Sequence, residues 1–496
     1  MTEHTMPPVA AHINAGNQPV ARRAYSGFWA AAAALIAVQT MFILYSRRHD
    51  YFFLDDFLGF IVARTSGMNF AYLTHDVFGQ FAPGYRLLDY LYIQVIGLHY
   101  SAVRLFDIVT ISATTLLLLG LIRRWRLPPA FAAPIIAFIP FSPIFVVLFQ
   151  WFSSALHVYA AMVFAMSALL CMADPKPLTE RRRIIGAILF AFGLLFYAKM
   201  LFLSVLLFAV RMFVSAESGS RMRDAFMHAL RDLALFIPLA VIYLCIVALG
   251  HYSSGRPPTG ILPILSFVRV GFLEGFAANL FGLDPALPGR TALACTLLLL
   301  PMALSVMRNA RSLLIWAGFL IQFILAMAAV AYGRVTIFGP EVAALSRYHT
   351  ETAVFYLACL IICFATVRRP AEGVLARRRM TSLDWGGLAA GIVLALVLGH
   401  ASLKVPLLYA PDDGRVAAYV SNFRRSLLDK DTDRPIFDAT VPDWVMPAWM
   451  APLNRIHDFA LLFPVGARFT NNKQGSVSFD ETGQLRPVID DDGFRK

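Results

Sequence analysis

Charge is scarce in this chain. Only 15% of its 496 residues are Asp, Glu, Lys or Arg, and 58% are hydrophobic. A soluble fold of this length cannot hide that much apolar surface, because interior volume grows too slowly with length. Lipid-facing helices remove the difficulty, since the bilayer accepts apolar side chains on every face. Cysteine is scarce as well. The five residues, Cys171, Cys245, Cys295, Cys359 and Cys363, all fall inside apolar runs, and none pair as Cys-x-x-Cys. They read as small core residues, and no disulfide framework is expected outside the membrane. No GxxxxGK[ST] loop occurs, which argues against an ATP-driven pump, and no HExxH helix occurs. No Asn-x-Ser/Thr sequon lies outside the membrane runs, which favours a bacterial source. Ionisable residues within the apolar runs are few, with Asp107 the clearest. Ion-coupled transporters need polar groups near the midplane, so their scarcity argues against transport.

What is present is a series of apolar runs long enough to cross a hydrocarbon core of about 30 Å, which takes roughly 20 helical residues. The expected spans are 28–46, 103–122, 129–149, 152–172, 184–198, 200–215, 231–250, 291–307, 312–331, 352–367 and 384–402. These predict an all-α polytopic membrane protein with about 11 transmembrane helices. Arg22 and Arg23 precede the first run without a convincing cleavage site, so it reads as a signal anchor. Basic residues set the orientation. With the N-terminus cytoplasmic, the inner loops hold Arg123, Arg124 and Arg126, then Lys176 with Arg181–Arg183, then Arg211, Arg221, Arg223 and Arg231. Arg308, Arg311 and the cluster from Arg368 to Arg379 complete the set. The formal charge of +12 therefore lies on the cytoplasmic side, and the basic balance needs no nucleic acid.

Three regions follow. Residues 1–27 read as a disordered cytoplasmic N-terminus and 28–402 as the membrane domain, with a long first external loop at 47–102. Residues 403–496 read as a small exported C-terminal α/β domain. In that tail Val416, Val420, Phe423 and Leu427 predict a helix over 412–429. Short strands are expected around Trp444 and Trp449, whose rings suit a small core better than a sugar platform. Residues 470–496 are expected to fray. Segments 85–98 and 269–283 are apolar but short; the first reads as an amphipathic helix on the external surface, and the second as lying on or partly in the outer leaflet.

The chemistry concentrates outside. Just past the first span the chain reads Tyr51-Phe52-Phe53-Leu54-Asp55-Asp56-Phe57. An acidic pair there suits either a helix cap or a reactive carboxylate. The same loop holds His75, Asp76, Gln80, Pro83, Arg86 and Asp89, more ionisable side chains than a connector needs. Lys199 stands between two short spans and suits either snorkelling or anion binding. Arg334 follows the ninth span, and Arg347-Tyr348-His349 precedes the tenth. Cations and a tyrosine just above the bilayer suit a phosphate clamp, since the guanidinium fork matches phosphate. Interface anchoring by Arg and Tyr is the plain alternative. Two adjacent carboxylates are too few donors to assign a metal.

An aspartate pair after span one, then a surface helix and a second span, resembles the GT-C superfamily of membrane glycosyltransferases. Phe81-Ala82-Pro83-Gly84-Tyr85-Arg86-Leu87-Leu88, with Gly97 beyond, is similar to the continuation of that loop. The resemblance is architectural over the whole chain and specific across residues 50–105. It implies an inverting hexosyl- or pentosyltransferase of the plasma membrane that uses a polyprenyl-phosphate sugar donor. The acceptor would be a cell-envelope glycan, lipid or protein on the external face. It implies Asp55 as the base, with Asp56 as orienting partner or alternative base. His75, Arg86, Lys199, Arg334, Arg347, Tyr348 and His349 become candidate substrate contacts. No cofactor is implied firmly, and a divalent cation stays open. The rival readings are a flippase or transporter for a lipid-linked intermediate, an undecaprenyl-diphosphate glycan polymerase or ligase, and a catalytically silent scaffold.

Overall fold

A computed structural model describes residues 18–46, 56, 59–60, 62–63, 66–77, 79–97, 100–250, 258–367 and 382–405, with three strand segments between 468 and 488. Asp55, the loop 251–257, the basic segment 368–381, the expected helix at 412–429 and the segment from Trp444 to Trp449 lie outside the described residues.

The described chain is almost wholly helical. Helix α1 is Gln18–Ser46, so it begins earlier than the apolar run that defines the first span. Helix α2, Pro83–Leu91, starts on a proline, whose fixed φ and missing N–H suit a first turn. It continues as a π-type turn over Tyr92–Ile96. Helices α3 (Tyr100–Trp125), α4 (Pro129–Ile136) and α5 (Phe152–Met172) follow. Helix α6, Glu180–Phe196, carries an acid in its first turn, complementing the helix dipole, and stops at an extended Tyr197. Helix α7, Leu203–Glu217, leads to α8, Met222–Asp232, and α9, Phe236–Leu249, which meet at a bend of 59°. Helices α10 (Leu262–Val270), α11 (Arg290–Arg308), α12 (Ser312–Phe338), α13 (Thr350–Val367) and α14 (Ser382–Lys404) complete the bundle. In the tail, β1 (Arg468–Asn471), β2 (Gly475–Phe479) and β3 (Leu485–Val488) form an antiparallel meander in that order, with Phe469 opposite Val477 and Val477 opposite Pro487. Strand pairing therefore extends through much of a segment expected to fray.

Seven of these helices are long and apolar enough to cross a membrane, or eight if the bent pair α8–α9 is one span. The protein is a multi-pass membrane protein. The lower count has physical causes. The apolar stretch of α13 is short, over Thr350–Thr366, and α6 has only 17 residues. The expected span 129–149 is not one helix. α4 contains Pro134 and ends at Ile136, Pro140 and Pro143 follow, and between α4 and the next helical turns the chain runs through buried turns. Each proline removes an amide donor and clashes with a continuing helix. Non-helical backbone at membrane depth is tolerated where protein buries it, and residues 135–146 are buried throughout.

The core runs along α5 and α13. In α5, 72% of the span is buried, against 17% for α1 and 22% each for α11 and α14, which form the lipid-facing rim. Small residues allow close approach at that rim. A Cβ on Gly387 would stand 2.2 Å from Ala130 Cα, and one on Gly391 would stand 2.8 Å from the Ala133 carbonyl carbon. The glycines are one turn apart on α14, so α4 nests against bare backbone, as small residues permit in membranes.

The short surface segments behave differently from each other. In α2 the polar side faces inward, with Tyr85, Arg86 and Asp89 buried, while Leu87, Leu91 and Val95 are exposed. That inversion is what a helix with lipid on its outer face requires. Residues 269–283 pack mostly into the protein, with Arg269 and Glu274 exposed. Gly271, Gly275, Phe276, Ala277, Ala278 and Leu280 are buried, with Phe276 packed on Phe319 and Phe323.

Candidate active site

Three segments far apart in sequence close over one cavity of about 390 Å³. The α6–α7 connection brings Tyr197, Ala198 and Lys199. The end of α12 brings Tyr332, Gly333 and Arg334, and the turn before α13 brings Arg347 and Tyr348. Gly79 and Gln80 of the loop between α1 and α3 line it as well, and the Ala198 N–H donates to Gln80 Oε1 at 3.3 Å. Trp151, Ser154, His157 and Val158 line it from the start of α5. Tyr243, Leu244 and Val247 of α9, with Ala329 and Val330 of α12, make an apolar wall. Tyr243 also donates to the Phe81 carbonyl at 3.0 Å, tying that wall to the first loop.

The cations in this cavity differ in their state. Lys199 is buried and donates to Glu351 Oε1 at 2.8 Å and to the Tyr348 carbonyl at 2.5 Å. Its charge is matched by Glu351, so it holds the α6–α7 turn against α13. Arg347 has no acidic partner among the described residues. Its guanidinium lies over the Trp151 ring at 4.0 Å and the Tyr348 ring at 4.9 Å, and Nη2 donates to Tyr348 Oη at 3.0 Å. Two aromatic faces and one hydroxyl fix the fork without neutralising it. Burial pushes the Tyr348 phenol up, but Arg347, Arg334 and Lys199 more than offset that and leave it below its ordinary value. Arg334 is half-buried on the same rim and lies over the Phe338 ring at 5.8 Å.

Lys199, Arg334, Arg347 and Tyr348 thus share one cavity. Among the described candidates, His349, His75 and Arg86 do not line it. His349 is fully buried between Phe276 and Phe323, and its Nε2 meets the Ala343 carbonyl at 2.7 Å. Gly275 makes room for that contact, since a Cβ there would stand 2.2 Å from the ring nitrogen. Burial lowers the His349 pKa to about 3, so the ring supplies no cation to a clamp. His75 is exposed on the first loop. Arg86 is buried, stacks over Tyr72 and Tyr85, and donates to the Asp76 carbonyl at 2.7 Å, bracing that loop from within.

Asp56 is buried and accepts the Ser153 N–H at 2.6 Å, which caps the start of α5 beside the cavity. A second buried carboxylate, Asp89, faces the same turn. A Cβ on Gly59 would stand 3.0 Å from Asp89 Oδ2 and 3.3 Å from Tyr85 Oη. Burial pushes Asp89 up to about 7; Arg86 works against that rise and Asp56 adds to it.

Sequence reasoning named Asp89 among the ionisable residues of the first loop but did not single out His157 or Trp151. Those two sit in or at the edge of apolar runs, where a lone His or Trp carries no signal of its own. No group of three or more His, Cys, Asp or Glu positioned for a metal ion occurs among the described residues.

Compared with family models, with curated proteins and with solved structures, the chain matches none.

Proposed function

We propose that this protein is a membrane glycosyltransferase with about eleven spans. It transfers a sugar from a polyprenyl-phosphate donor to a cell-envelope acceptor on the external face of a bacterial plasma membrane. The observation that carries this reading is the cavity itself. It joins Gly79 and Gln80 of the first loop, arginines held by aromatic rings, and an apolar wall reaching α9 and α12. Its volume lies within the range of small-molecule sites, about 300–1,000 Å³.

In this reading Arg347 and Arg334 receive the donor phosphate, and the apolar wall takes the first part of the lipid. The acceptor oxygen attacks the anomeric carbon as the bond to the phosphate oxygen breaks. The electron pair leaves on the phosphate, where fixed cations stabilise the developing charge. Asp55 takes the acceptor proton. Asp56, whose Oδ1 accepts the Ser153 N–H, is its orienting partner. The exported C-terminal domain completes the external face.

The test is transfer in proteoliposomes from a panel of radiolabelled polyprenyl-phosphate sugars. Asp55→Asn is expected to abolish transfer while the protein stays folded. Asp56→Asn is expected to reduce it. Full activity in both variants, with a donor that the wild type turns over, overturns the assignment of these carboxylates.

A further inference from the structure

We propose that His157 is a specificity-determining residue that accepts a hydrogen bond from a hydroxyl of the donor sugar through its Nε2 atom. The inference rests on the glycosyltransferase reading and adds the residue that reads the sugar.

Three observations carry it. First, the tautomer is fixed. His157 Nδ1 meets the Ser153 carbonyl at 2.7 Å, one helical turn back on α5. A carbonyl only accepts, so Nδ1 bears the proton, and in the neutral ring Nε2 is left as an acceptor. Second, the ring plane is fixed. Tyr85 meets it edge-on at 5.6 Å and Tyr197 packs at 5.1 Å. Third, His157 is nine-tenths buried yet lines the cavity, and Nε2 has no hydrogen-bond partner among the described residues. An acceptor at the cavity wall with no partner among the described residues is open to a donor from a ligand.

The rest of the cavity says what that donor is. Lys199, Arg334 and Arg347 only donate, so they suit phosphate oxygens and cannot receive a hydroxyl proton. Gln80 Oε1 and Tyr348 Oη already accept from Ala198 and Arg347. Nε2 is the acceptor whose direction is set, and it stands in the same cavity as the cations. A sugar attached to a phosphate held by Arg347 brings its hydroxyls there. The ring is also tied to the first loop through Ser153, whose carbonyl receives Nδ1–H and whose own N–H donates to Asp56. Donor sugar and reactive loop therefore share one registered support.

The test is equilibrium binding in nanodiscs. Wild type, His157→Phe and His157→Gln are titrated with sugar-free polyprenyl monophosphate and with polyprenyl monophosphates carrying hexoses or pentoses. The wild type is expected to bind at least one sugar-bearing lipid about tenfold or more tightly than the sugar-free one. His157→Phe is expected to keep the sugar-free affinity and lose that preference, and His157→Gln, which keeps an acceptor, to recover part of it. Equal loss for both lipids in His157→Phe means a structural role and overturns the proposal. So does an unchanged preference. If His157→Phe does not fold, the ¹⁵N resonance of Nε2 in the wild type decides. A shift with the sugar-bearing lipid alone supports the proposal, and the same response to both lipids contradicts it. If the wild type binds no lipid phosphate at all, the glycosyltransferase reading falls, and this inference with it.

Discussion

The two charged regions of the bundle are built in opposite ways. At one end Arg124 and Arg182 meet Asp174, and Arg183 and Arg211 share Asp232, the last two at 2.8 and 2.7 Å. Arg211 adds bonds to the carbonyls of Met172 and Asp174. Every arginine of that group has a carboxylate. At the cavity, Lys199 has Glu351, but Arg347 is held by Trp151 and Tyr348 and faces no acid among the described residues. Arginines matched by carboxylates hold helices together. An arginine fixed by aromatic rings keeps its charge for something else. The contrast also bears on topology. The helix segments that carry Arg124, Arg182, Arg183 and Arg211 come together, as expected if all lie toward one side of the bilayer.

The comparison can be broken at several points, the largest effect first. Asp232→Asn leaves the buried Arg211 and Arg183 without their carboxylate. Losing one partner of a buried pair costs about 3–5 kcal/mol. A large drop in apparent melting temperature in detergent is expected, and an unchanged melting curve would remove the ion pairs from the account. Arg347→Gln is expected to do the reverse, leaving melting nearly unchanged while transfer falls about 100-fold, the scale for losing one preorganised charge-stabilising group. Comparable damage to folding would make Arg347 a structural residue like Arg211. Gly387→Leu tests the lipid-facing rim, away from both charged regions. Its side chain collides with Ala130, and overpacking of this kind costs about 1–3 kcal/mol. Melting should fall while the affinity for lipid phosphate in the folded fraction stays the same.

The smallest effect is a pH dependence. Burial raises Asp89 to about 7 in the folded protein, from an ordinary value of 3.8. The folded state therefore binds the extra proton between those values. The stability contributed is fully present below about pH 4 and is lost as pH rises through about 7. Asp89→Asn should flatten the melting temperature over that window, and an identical slope in the variant would contradict the assignment.

Much of this arrangement was legible in the sequence, and what was not has identifiable causes. Lys199, Arg334, Arg347 and Tyr348 stood out because cations just outside apolar runs are either anchors or ligands for an anion, and folding brings all four to one cavity. His349 stood beside them in sequence but turns inward, because the start of α13 places it above Gly275. Lys199 concealed its partner, since Glu351 is 152 residues away. His157 and Trp151 were invisible in their apolar runs. The broken segment at 129–149 did carry a signal, in Pro134, Pro140 and Pro143, but mean apolarity over the window outweighed it. The inward polar face of α2 is a tertiary property, because amphipathicity alone does not say which face meets lipid.

The most direct test of the central claim compares the two regions in one experiment. Binding of polyprenyl monophosphate in nanodiscs would be measured for wild type, Arg347→Gln and Arg182→Gln, with neutral polyprenol as the reference lipid. The account predicts at least a tenfold loss of affinity for the phosphate in Arg347→Gln alone, with polyprenol binding unchanged throughout. Equal phosphate affinity in all three proteins would mean that the cavity arginine is an anchor, and would contradict the reading of this cavity as a lipid-phosphate site.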